Sequence, residues 1–226
     1  MSIPHDAIHR RDFLGSLLAT TTVGLAGLAI PSEFGIAGPM PPSPETAGFN
    51  AWLGRIKGKH KQVFDAPMPH GGLPLAWSRV FLMTNKSLGV ADHDVKAVLI
   101  LRHDAIPFAM ESGLWEKYKF GEFFGVADEA TKAPLTMNPY WKPKEGSLPL
   151  PGMGVDQLME SGVLIGVCDM ALTFYSMKAA EKTAMKAEDI KKDWVGGVFP
   201  GIQLVPSGVV AINRAQERGC TYCYAG

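Results

Sequence analysis

Short runs that are apolar at every position recur along the chain, separated by segments in which apolar residues return every three or four positions. The clearest run, 163–167, is apolar on both alternating faces, the pattern of a strand buried inside a parallel sheet rather than one with a wet side. It ends at Cys168, and from Met170 the period becomes helical, with Leu172, Tyr175 and Ala179 spaced as one face. Residues 96–103 read as a second buried strand whose carboxyl end carries Arg102, His103 and Asp104, and 201–206 as a third. Modest strands at 59–65 and 220–224 begin and close the series. Helices are predicted over 75–88 with Gly89 closing the segment, over 106–118 with a break around Gly113, and over 155–161, 187–194 and 209–218. Such alternation predicts an α/β fold, a parallel sheet of about five strands with helices on both faces.

Two segments break the rhythm. Residues 121–154 hold Pro134, Pro139, Pro143, Pro149 and Pro151 with Tyr140 and Trp141. That is too long for an ordinary connection and points to a lid, a binding loop or an oligomer contact. Residues 31–58 follow the N-terminal segment and cluster Pro39, Pro41, Pro42 and Pro44, so they read as a linker to a domain at 59–226.

The first 30 residues have the form of a twin-arginine export signal. Arg10 and Arg11 precede Phe13 and Leu14, and an uncharged run extends to Ile30. Gly15, Gly24 and Gly27 with Thr20, Thr21 and Thr22 make that run less apolar than a membrane span, and it is shorter than the roughly 20 strongly apolar residues a span needs. A retained N-terminal anchor is the alternative. The expectation is a periplasmic protein, cleaved after Ala29 or near Ala37, with no membrane span in the mature chain.

Composition narrows the classes further. A formal net charge of zero, with no basic stripe, argues against nucleic acid as a partner. The lysines between 178 and 192 are interleaved with Glu181, Glu188, Asp189 and Asp193, as on a solvated helical surface. Three cysteines are too few for a disulfide scaffold. No P-loop, dinucleotide-binding turn, nucleophile-elbow serine or haem-attachment sequence is present, and nothing calls for a cofactor or a metal. His60, His70 and His93 lack metal-ligand spacing and read as surface residues.

The candidate chemistry sits at Cys168. In open α/β sheets ligands collect at the carboxyl ends of strands, and a thiol there lies near a helix N-terminus, whose partial positive charge favours the thiolate. The competing reading is a free cysteine packed as a small apolar side chain. His103, at the end of a neighbouring strand, is a candidate to face the same crevice and relay a proton, or else a hydrogen-bonded histidine at a strand end. Cys220 and Cys223 have redox-motif spacing, but residues three apart in a strand point to opposite faces and would close a disulfide with each other only where the strand end is irregular.

Several steps together resemble the DsrE/DsrF-like family. They are the strand ending in Arg102-His103-Asp104, residues 158–163, the strand-end cysteine in 167–172, and the ending that runs from 205–209 to 215–219. The resemblance spans about 59–224 and implies a flavodoxin-like α/β domain, homo-oligomers of three or six chains, and a sulfur carrier or sulfurtransferase-like protein that holds a persulfide on Cys168. A sulfur donor or acceptor protein would be its partner. The alternative is a non-catalytic, oligomeric ligand- or protein-binding module of the periplasm.

Overall fold

The structure, a computed structural model, describes residues 44–226. The export signal and the linker up to residue 43 lie outside the described residues. The chain runs α1 (Pro44–Leu53), β1 (His60–Ala66), α2 (Leu73–Ser87), β2 (Val95–Leu101), α3 (Ser112–Lys117), α4 (Phe120–Phe123) and α5 (Val155–Glu160). It continues with β3 (Leu164–Cys168), α6 (Asp169–Ala180), α7 (Ala187–Gly196), β4 (Gln203–Val205), α8 (Gly208–Glu217) and β5 (Thr221–Tyr224). The five strands form one all-parallel sheet in the order β4-β3-β2-β1-β5. The α/β class and the flavodoxin-like layering expected from the sequence are therefore present. The flavodoxin order 2-1-3-4-5 puts the second strand outside the first; here the last strand takes that outer place.

Strand alternation sorts the core into two layers. Phe64, Ala66, Leu99, Leu101, Ile165 and Val167 face one side, beneath α2, α5, α6 and α7. Val63, Val98, Ile100, Leu164 and Val205 face the other, beneath α1 and α8. Helix α8 carries the chain from β4 at one edge to β5 at the other, touching β1, β2 and β3 on the way. Gly166 is a glycine inside a fully buried strand for a packing reason. A Cβ there would lie 2.9 Å from Val205 Cγ1, 3.2 Å from Ile100 Cδ1 and 3.5 Å from the Trp52 ring.

Three expectations need correction. The linker ends sooner than 58, because residues 44–53 form α1 and bury Phe49, Trp52 and Leu53 against the sheet. Pro44 opens that helix, where a proline costs nothing because its missing N–H would be unpaired anyway. The helix predicted over 106–118 breaks before Gly113, since the 3₁₀ turn His103–Ala109 is followed by an extended Met110 and Glu111. Strand β4 is shorter than 201–206. The 121–154 segment begins as the short helix α4 and is anchored beside the 3₁₀ turn that follows β2. Buried Asn138 donates to the carbonyls of Phe108 and Met110 at 3.1 and 2.8 Å, and Tyr140 packs on Phe108.

Among the described residues no helix is long and apolar enough to cross a membrane.

Candidate functional site

Strand β3 delivers Cys168 to the carboxyl edge of the sheet, where it is also the N-cap of α6. Its Sγ accepts the backbone N–H of Ala171, in the first turn of α6, at 3.3 Å. It also accepts the N–H of Gly208, the first residue of α8, at 3.1 Å. The second bond follows from register. Cys168 pairs with Val205, so the short Pro206-Ser207 step brings the start of α8 over the sulfur. Ser207 fixes that start by capping, its Oγ accepting from Val210 N at 3.3 Å. Two helix N-termini thus aim a donor at one sulfur atom, an arrangement suited to negative charge.

A third element completes the cluster. Leu101 pairs with Val167, so Arg102 stands one step further along, level with Cys168 and on the same side of the sheet. Its side chain lies against Gly208. A Cβ on that glycine would come within 2.8 Å of Arg102 Cδ, so the residue that donates to the sulfur can only be glycine while the arginine stays in place. Asp65, at the end of β1, grips the guanidinium side-on, Nε donating to Oδ1 at 2.6 Å and Nη2 to Oδ2 at 2.9 Å. Tyr222 on β5 adds a third bond, its hydroxyl donating to Asp65 Oδ2 at 2.8 Å. The Asp65 side chain is 5% exposed and that of Arg102 21%. The Asp65 hydrogen bond raises the Arg102 pKa above its ordinary value against the opposing effect of burial, and the charge of Asp65 adds in the same direction. Burial, then the bond to Asp65, raises that of Tyr222.

His103 takes no part in this cluster. It follows Arg102 at φ 49°, exposed, with Nδ1 3.3 Å from the Tyr175 hydroxyl, and it makes no hydrogen bond to Cys168. Tyr175 donates to Asp104 and is held well above the ordinary tyrosine range, first by burial and then by that bond. The imidazole that was expected beside the thiol therefore belongs to a separate His103, Tyr175 and Asp104 group. The group beside the thiol is a guanidinium. Alternation along β2 was the available signal, because it assigns Arg102 to the face of Cys168.

The other cysteines behave as the strand pattern predicts. Cys220 is buried with the α8 layer and Cys223 packs against the opposite core, both free, and burial raises the pKa of each. His60, His70 and His93 are exposed, and no cluster of metal-ligating side chains occurs among the described residues. A cleft of about 540 Å³ lies at the amino edge beside Lys96 and Gly162, at the other end of the strands from Cys168. No family model, curated protein or solved structure matches the chain.

Proposed function

We propose that the chain is an exported sulfur carrier of the DsrE/DsrF-like kind, with Cys168 as the persulfide-forming residue. The observation that carries the reading is the sulfur of Cys168 at the carboxyl edge of a parallel sheet, receiving backbone N–H bonds from the starts of α6 and α8. Loading is a balanced exchange. The Cys168 thiol gives its proton to solvent, and Sγ attacks the sulfane sulfur of a donor persulfide or polysulfide. A new S–S bond forms as the donor's breaks, and the donor sulfur leaves as a thiolate with the bonding electron pair. Release reverses the sequence, an acceptor thiolate taking the outer sulfur and Cys168 leaving as thiolate. No external oxidant or reductant enters. The twin-arginine pattern places this chemistry in the periplasm in the same reading. Incubating the mature protein with polysulfide and locating the added sulfur by peptide mass spectrometry tests it. The adduct is expected on Cys168 and absent from a Cys168→Ser variant; a native protein that gains sulfur only on Cys223 would overturn it.

A second reading, an oligomeric binding module with Cys168 packed as a core residue, has its own support. Cys168 is only 6% exposed, and α6 turns Met170, Phe174 and Met177 outward at helical spacing. Light scattering with a persulfide-negative mass spectrum would favour it.

A further inference from the structure

We infer that Arg102 is the specificity-determining residue of this centre, and that it selects an anionic sulfur donor, the class that includes inorganic polysulfide, which leaves as a shorter polysulfide anion, and thiosulfate, whose S–S bond breaks to release sulfite with the bonding electron pair. The inference rests on the sulfur-carrier reading and adds the charge of the substrate to it.

Three observations lead there. The side-on grip of Asp65 uses Nε and Nη2 of the guanidinium, and among the described residues Nη1 donates no hydrogen bond. Both carboxylate oxygens of Asp65 are occupied, one of them twice because Tyr222 also donates to Oδ2. The ion pair is therefore polarised, its carboxylate fully engaged and 5% exposed while the guanidinium keeps N–H groups unused by Asp65 and is 21% exposed. Those groups belong to a side chain lying on Gly208, the residue whose N–H reaches Cys168 Sγ. An incoming anion meets unused N–H groups of Arg102 and the N-termini of two helices, and planar N–H pairs suit the oxygens of thiosulfate or the terminal sulfur of a polysulfide. A neutral donor gains nothing from the guanidinium charge. Asp65 and Tyr222 act through Arg102, as positioning residues.

The charge of the reagent can be varied without any sulfur transfer, which separates this inference from the reading beneath it. In a Cys220→Ser, Cys223→Ser background, Cys168 is alkylated with anionic iodoacetate and with neutral iodoacetamide, and the ratio of the two rates is compared with that of Arg102→Gln. Because a lone Arg102→Gln leaves the buried Asp65 carboxylate unpaired, an Arg102→Gln, Asp65→Asn pair that removes both charges serves as the second variant. The ratio is expected to fall about tenfold in both variants, the low end of what local field focusing contributes to association rates, and to fall with added salt only when Arg102 is present. The iodoacetamide rate serves as the reference that absorbs any change in Sγ reactivity common to both reagents. For sulfur loading, thiosulfate or polysulfide should lose a similar factor and a neutral dialkyl trisulfide should not. A rate ratio unchanged in the paired variant overturns the role of Arg102 even if Cys168 carries sulfur. A lowered ratio in a protein that never forms a persulfide overturns the carrier reading and leaves an anion-selective thiol.

Discussion

Replacing Asp65 by Asn tests the network that holds Arg102 over the sulfur. The substitution keeps shape and volume but removes the charge and turns one acceptor oxygen into an amide N–H facing donors. In the native protein that carboxylate accepts from Arg102 Nε, from Arg102 Nη2 and from the Tyr222 hydroxyl. Both partners of the pair are largely covered, so solvent screens them little. Bonds to a charged group each contribute about 1.5–3 kcal/mol, and breaking a buried pair from one side costs about 3–5 kcal/mol because the remaining charge is stranded. The Asn side chain still accepts one bond, which puts the expected loss near 3 kcal/mol. For a domain of this size that lowers Tm by about 6–12 °C. Urea unfolding should show a lower midpoint with an unchanged slope, so that the shift reads as stability. Combining Asp65→Asn with Arg102→Gln should cost less than the sum of the two, with a coupling of about 2 kcal/mol, since the second change removes a charge the first left unpaired. A loss below about 1 kcal/mol, or strict additivity, would refute the reasoning, because the pair would then contribute no more than an exposed one.

Other consequences are independent of that network. Gly166→Ala is expected to destabilise by about 1–3 kcal/mol through overpacking, since the new methyl would press on Val205 and Ile100; chemical unfolding that shows no loss would mean that β3 and β4 shift freely. Burial, with Glu129 adding to it, pushes the Tyr140 pKa up from 10 to about 12. The folded state thus holds the phenolic proton more tightly than the unfolded chain does, so stability from this group is full below pH 10 and is lost as pH rises towards 12. About two pKa units correspond to about 3 kcal/mol, and unfolding followed from pH 9 to 11.5 should fall less steeply in Tyr140→Phe than in the parent. Replacing Arg10 and Arg11 by Lys should leave the protein in the cytoplasm; continued appearance in the periplasm would remove the twin-arginine route.

The layers of the fold were legible because buried parallel strands are apolar on both faces and cannot be mistaken for loops. The strand-to-helix boundary at Cys168 was legible for the same reason, the period changing from two to 3.6 at one residue. Helix α1 was not, because Pro44 and Gly48 resemble linker residues until Phe49, Trp52 and Leu53 are seen to cover β3 and β4. The grip on Arg102 was not legible either. Asp65 lies 37 residues before it and Tyr222 lies 157 residues beyond Asp65, and only the neighbour relations of β2, β1 and β5 bring the three together. His103 follows the strand beside Cys168, but its turn at positive φ sends it to Tyr175 and away from the thiol. Gly208 carried no signal as a glycine at a helix start; its meaning depends on which side chain lies across it.

The central claim is that Cys168 accepts and gives up a sulfur atom in the folded protein. Loading the Cys220→Ser, Cys223→Ser protein with polysulfide, removing the excess and adding an acceptor thiol while circular dichroism monitors the fold measures both halves at once. The predicted result is loss of one sulfur from Cys168 matched by its appearance on the acceptor, with the fold intact throughout. A thiol that stays unmodified in the native state and gains sulfur only when denaturant opens the α6 and α8 contacts would contradict it and make Cys168 a packed core residue.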